Sequence, residues 1–224
     1  MLQFDLIHIG AFFISFGWMK FYVSFLIFFS VVLSAFSQKD LSATYDAQNI
    51  KKVYIFTDEV FRINLKTSEK DKIILTSHSE GEYFNDISLN VELLQDRVIL
   101  TTQFRKILQS GYDKLSAHKV FSLEITLEIP EGLEVFIKSN IASVSGSGTY
   151  KNLEVELKSG YCELTSFMGN ALVNTYNGSI DVQTQNAEIT AISRNGNVLV
   201  SPEITGKNKI HLTTINGNIR VREN

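Results

Sequence analysis

Five stretches of the C-terminal half say the same thing: Lys138-Ser-Asn140-Ile-Ala-Ser-Val144, Lys158-Ser-Gly160-Tyr-Cys-Glu-Leu164, Tyr176-Asn-Gly178-Ser-Ile-Asp-Val182, Arg194-Asn-Gly196-Asn-Val-Leu-Val200 and Ile215-Asn-Gly217-Asn-Ile-Arg-Val221. Aligned on Asn140, Gly160, Gly178, Gly196 and Gly217, successive copies lie 20, 18, 18 and 21 residues apart. A near-constant period of this length marks an array of stacked structural units. Apolar residues alternate on both sides of each turn. Cys162/Leu164 and Ile180/Val182 follow it, and Leu153/Val155/Leu157 and Ile210/Leu212 precede it. Alternation of period two is the pattern of strands with one buried face. Glycine suits the turn because it accepts positive φ, and asparagine tolerates it next best. An Asn-Gly pair between alternating runs also fits a two-residue hairpin. The regular period favours corners of a coil with each copy lying on the next. The expected fold is therefore all-β: an elongated right-handed β-helix or solenoid-like coil with rungs of about 18–21 residues. A β-sandwich is the alternative. The extra residues of the last interval, around Pro202–Gly206, read as a surface loop on one rung.

From Asn49 to Pro130 the pattern remains β but loses the regular turns. Strands are expected at Lys52–Thr57, Val60–Lys66, Lys72–Ser77, Ile87–Leu94, Arg97–Gln103 and Val120–Glu128, with Phe104–Lys119 a long connection. No proline lies between Gln38 and Glu128 and no composition shift marks a linker. Residues 38–130 thus form the irregular part, and 131–224 the regular repeat part, of one domain. The irregular strands cap the coil. At the other end, Arg220, Arg222 and Glu223 place charge on what reads as a terminal edge strand.

Residues 1–37 set the address. Two apolar runs, 6–18 and 21–36, flank Met19-Lys20, and Ala35-Phe36-Ser37 before Gln38 matches a signal-peptidase site. Met19 is then the expected initiator, residues 1–18 an over-extended start, and Gln38 the first mature residue. The alternative is an uncleaved membrane anchor, since the joined runs are long enough to span. Cleavage leaves the net charge of -3 unchanged, because Asp5 and Lys20 leave together. That balance makes no electrostatic case for nucleic acid. The single cysteine, Cys162, has no intramolecular partner and occupies an inward position.

The outward positions hold the candidate binding residues. Two residues before the turns stand Lys138, Lys158, Tyr176 and Arg194, a mostly basic column that reads as a solvated ladder or as a groove for an anionic glycan or lipid headgroup. Leu172, Ile192 and Leu199 are also outward-phased, and form a partner patch if nothing covers them. Asn177, Asn195 and Asn216 read as a stacked corner ladder. The motif search for chemistry is empty: His78, His118 and His211 lack zinc-type spacing, and no nucleophile elbow, phosphate loop or calcium loop occurs. Glu163 and Asp181, equivalent on adjacent rungs about 5 Å apart, are the one pair of carboxylates a polysaccharide-active enzyme would use. Leu199 and Arg220 continue that column and weaken the case. No catalytic residue, metal or cofactor is expected.

The stretch Ile125-Thr-Leu-Glu-Ile-Pro130-Glu-Gly132-Leu-Glu-Val135, followed by the turn-centred repeats, resembles the bacterial putative-adhesin β-strand-repeat domains, also called toast-rack domains, and the related head domain of Bacteroidetes envelope proteins. The likeness runs from about Asn49 to the C-terminus. It departs where Asn140 replaces glycine, and it lacks the transmembrane helices that some relatives place beside the domain. It implies an exported protein of the periplasm, outer surface or extracellular space of a Gram-negative bacterium. The implied role is adhesin-like or scaffolding, with envelope-stress sensing or assembly as the alternative, and no shared catalytic residues. The partner is unidentified, an envelope protein or a glycan. Membrane contact would come only through an uncleaved leader.

Overall fold

Period-two alternation becomes fifteen strands in a computed structural model that describes residues 38–58, 60–81, 87–104 and 121–224. The expectations for the leader, Met19, His118 and most of the Phe104–Lys119 connection lie outside the described residues. The strands are β1 (Gln38–Asp46), β2 (Lys52–Thr57), β3 (Arg62–Ser68), β4 (Lys72–Gly81), β5 (Ile87–Leu94), β6 (Arg97–Phe104), β7 (Phe121–Pro130) and β8 (Glu134–Ser139). They continue as β9 (Ser143–Ser159), β10 (Cys162–Asn177), β11 (Ile180–Thr184), β12 (Ala187–Ser193), β13 (Val198–Val200), β14 (Asn208–Asn216) and β15 (Ile219–Glu223). The six strands expected before Pro130 are all present. The polar β1 carries little alternation and pairs antiparallel with β4 through its backbone.

All fifteen strands belong to one open sheet. The long β9 and β10 bend midway and serve two ladders. Their first parts pair with β3 and β11, in the order β1-β4-β7-β3-β9-β10-β11-β15-β13. Their second parts pair with β8 and β14, in the order β5-β6-β2-β8-β9-β10-β14-β12. Every pairing from β6 to β12 and from β7 to β13 is parallel; the antiparallel pairs are β1–β4, β4–β7 and β5–β6. β2, β3, β6 and β7 are therefore ladder members in their own right, and only β1, β4 and β5 fit the expected irregular end. At the bend in β10, Gly169 has φ +124° and a Cβ there would overlap the Tyr150 carbonyl. Beside the bends, Tyr150 stacks on the fully buried Phe167 with ring centroids 5.6 Å apart. Inward residues of both ladders, from Val53 and Ile55 to Ile219 and Val221, form one continuous core.

Two expectations about the repeat are corrected. The first three copies lie each on the next, as expected, but the last two do not. β15 sits between β11 and β13, and β14 between β10 and β12, so the fifth copy is inserted between the third and fourth. The segment 201–207 must carry the chain past β12 to reach β14, and the extra residues of the last interval supply that reach; Ile204 in it packs against the core. It is a crossing, not a loop confined to one rung. β15 is consequently an interior strand, and the edge strand of its ladder is β13. Arg220 and Arg222 do not guard an edge; both approach Asp181.

The second correction concerns the first copy. Ser139 pairs with Leu157, Val144 with Cys162, and Leu157 with Thr175, so the strands on either side of these corners are offset by 18 residues. The residue equivalent to Gly160 is Ala142, not Asn140. A Cβ on Gly160 would meet the Ala142 carbonyl oxygen, one on Gly178 that of Gly160, one on Gly217 that of Gly178, and one on Gly196 that of Gly217. Among these four only Gly160 has positive φ (+123°). Gly178, Gly196 and Gly217 are required by the close approach of stacked corners, not by turn conformation.

Candidate functional site

Strand-perpendicular rows of outward side chains follow from the register of the second ladder. One row reads Lys52–Glu134–Asn152–Asn170–Lys209, and the next Tyr54–Phe136–Glu154–Leu172–His211. Between them lies a trough of about 480 Å³ floored by the backbone of the same five strands. At strand spacing it runs about 19 Å across the sheet. Its walls differ in chemistry. The first is polar and tied together: Glu134 pairs with Lys151 at 2.6 Å and Lys52 at 3.5 Å, and Asn170 donates to Asn152 Oδ1 at 3.1 Å. The nearby lysines hold the Glu134 carboxyl below its ordinary range. The second wall begins with aromatic rings. Phe136 lies 6.2 Å from Tyr54 and 5.6 Å from Phe56, whose side chain is exposed. The side chains of Glu154, Lys209 and His211 have no ion-pair or hydrogen-bond partner among the described residues.

The residues expected to form a basic column are not one column. Lys138 pairs in register with Glu156 and its ammonium lies 3.1 Å from that carboxylate. Lys158 stands one row further on, with Tyr176, Ile215 and Arg194, because the first copy is displaced by two residues. Ile215 lies between Tyr176 and Arg194, since the fifth copy precedes the fourth in space. Leu172, Ile192 and Leu199 are exposed at 38, 60 and 61 %, but do not form one patch. Leu172 belongs to the trough and Ile192 to the edge strand β12, whereas Leu199 is on the other ladder. Asn177, Asn216 and Asn195 do form a ladder, each amide joined to the next at 2.7 Å, in that inserted order.

Glu163 and Asp181 are register neighbours on β10 and β11. Asp181 is held by Arg222 at 2.8 Å, with Arg220 at 3.9 Å, and Arg220 is its next neighbour in the row. His78 lies on the far end of the first ladder, between Asp40 and Glu80. Among the described residues no cluster of three or more acidic, histidine or cysteine side chains is placed to hold a metal, and no helix is long and apolar enough to cross a membrane. Cys162 is fully buried, and burial pushes its thiol up to about 12. Tyr54, Phe136, Asn152, Glu154 and Lys209 escape sequence reasoning because their adjacency depends on the register. Outward-phased aromatics on separate strands were the only available signal.

This overall fold has a counterpart among known structures. A crystal structure described as "a putative cell adhesion protein" from Clostridium sporogenes is similar over 84 % of this chain and 100 % of that one, with TM-score 0.62 and 13 % identity. This chain has that protein's fold. The resemblance seen in the repeats is thus upheld at the level of architecture. A structure described as "a putative adhesin" from Bacteroides fragilis matches over 83 % of this chain and 98 % of that one at 14 % identity, with TM-score 0.35. No protein-family profile matches the chain, and no curated protein matches it significantly.

Proposed function

We propose that this chain is an exported, non-enzymatic binding module of the bacterial envelope or surface, adhesin-like in role, that works through the outer face of its second ladder. The observation that carries this reading is the trough with one polar wall and one that begins with aromatic rings. It is a concave surface on a rigid sheet, with charged side chains left unpartnered, in the volume range of about 300–1,000 Å³ of ordinary ligand sites. The fold shared with the Clostridium protein described as "a putative cell adhesion protein" supports it. The alternation of the chain between the ladders is read as turns of a flattened coil, right-handed by the rule for parallel crossovers. No catalytic role is assigned to Glu163 and Asp181, because Asp181 is already held in an ion pair by Arg222 at 2.8 Å.

A second reading, an envelope assembly or stress-sensing factor acting by protein contacts, is favoured by the exposed edge Val198-Leu199-Val200. The test of the leading reading is saturable binding of the purified, fluorescently labelled protein to bacterial envelope preparations. Export is tested by expressing the full chain, fractionating the cells and sequencing the N-terminus, with Gln38 expected first. Linear, non-saturable uptake or cytoplasmic retention overturns the reading.

A further inference from the structure

We infer that the trough of the second ladder is a binding site for an uncharged oligosaccharide chain lying across the strands; this rests on the binding-module reading and names its ligand class. Three features point to this class. First, the walls are amphipathic in the way a sugar ring is. The C–H faces of a pyranose stack on aromatic rings, here Phe136 and Tyr54, while its hydroxyls point sideways to hydrogen-bonding groups. The opposite wall supplies these as Asn152 and Lys209, with Glu154 and His211 along the aromatic row. Side chains of these types offer both donors and acceptors, which is what a hydroxyl needs.

Second, the charges cancel. Lys52, Lys209, Glu134 and Glu154 line the trough, two of each sign, with Lys52 paired to Glu134 along one wall. A polyanion would gain from the lysines and be repelled by the carboxylates. A lipid chain would bury the polar wall without hydrogen bonds, which is costly. A neutral, hydroxyl-rich ligand avoids both penalties. Third, the trough repeats along its length. Each strand adds one side chain per wall at about 4.8 Å, comparable to the advance of one ring in an extended sugar chain, so a polymer can engage five strands in succession.

The experiment is affinity gel electrophoresis of the full protein in gels containing barley β-glucan, galactomannan or xylan as neutral chains, with polygalacturonate and heparin as anionic ones. Retardation by at least one neutral chain is expected, with an affinity that falls about tenfold or more in Phe136→Ala and is retained in Phe136→Tyr. Thermal unfolding checks each variant. Should Phe136→Ala not fold, Lys209→Ala and Glu154→Gln, whose side chains hold no partner in the described structure, carry the same expectation. Tyr161→Ala, at an exposed corner remote from the trough, should leave retardation unchanged. Retardation by none of the neutral chains, retardation unaffected by Phe136→Ala, Lys209→Ala and Glu154→Gln alike, or equal binding of the anionic chains overturns the proposal. If envelope binding is saturable while these chains do not bind, the glycan site fails and the broader module reading stands. If neutral chains bind in a Phe136-dependent way but envelopes do not, the reverse holds.

Discussion

Replacing Gly178 by alanine tests the stacking of corners more directly than any other change. The added Cβ would lie 1.8 Å from the Gly160 carbonyl oxygen, where real Cβ contacts are essentially never under 3.0 Å. Because the obstacle is backbone at the neighbouring corner, no side-chain rotation relieves it; β10 and β11 must separate locally. Separation strains the corner bonds Gly160 N–H to Asn177 O (3.0 Å) and Gly178 N–H to Asn216 O (2.9 Å). It also disturbs the hydroxyls of Thr175 and Thr214, which both donate to the Gly178 carbonyl at 2.9 Å. Overpacking costs about 1–3 kcal/mol, and weakening two such bonds adds about 1–3 kcal/mol. The expected loss is about 4 kcal/mol within a range of about 2–6 kcal/mol, a large part of a typical domain's stability, or a fall in Tm of roughly 10 °C for a chain of this size. Equilibrium urea unfolding followed by far-UV circular dichroism measures it. Gly132→Ala is the control, since Gly132 has φ +73° and open space around the added carbon; it should cost only the left-handed penalty of about 1–2 kcal/mol. A Gly178→Ala loss no larger than that of Gly132→Ala would refute the claim that close approach, not turn conformation, selects glycine at the corners.

Three further outcomes are expected. Phe167→Ala empties a fully buried site against Tyr150 and should cost about 3–5 kcal/mol by the same unfolding measurement. The His78 imidazole, bonded to Asp40 at 2.5 Å and Glu80 at 2.9 Å, should titrate at about 8 rather than 6.5 in an NMR pH series, and Asp40→Asn should bring it back down. Because that pKa is raised on folding, its contribution to pairing β1 with β4 is complete below about pH 6.5 and lost as pH rises through about 8. Cys162 should resist alkylation by iodoacetamide at pH 8 in the native protein and react on unfolding, since burial disfavours its thiolate.

Much of the fold is legible locally. The inward sets Val53/Ile55, Val155/Leu157 and Ile180/Val182 are buried as alternation demands, and β2 and β5 begin and end where polar breaks place them. Asn177, Asn195 and Asn216 stack as their shared place in the repeat implies. The candidate site was far less legible. Lys138 and Lys158 look equivalent in sequence, yet Lys138 faces Glu156. Tyr54 and Phe136, 82 residues apart in the chain, become neighbours only through the pairing of β2 with β8.

The division has a simple cause. A side chain's inward or outward phase depends on its own strand, and local alternation determines it. That alternation is unchanged by a shift of two residues, or by exchanging whole rungs. The 20-residue first interval therefore hid an 18-residue register, and the regular spacing of Gly178, Gly196 and Gly217 concealed that the last copy is threaded between the other two. Which strand lies beside which is a question of contacts between distant segments. Only the tertiary structure decided it, and with it the two rows that make the trough.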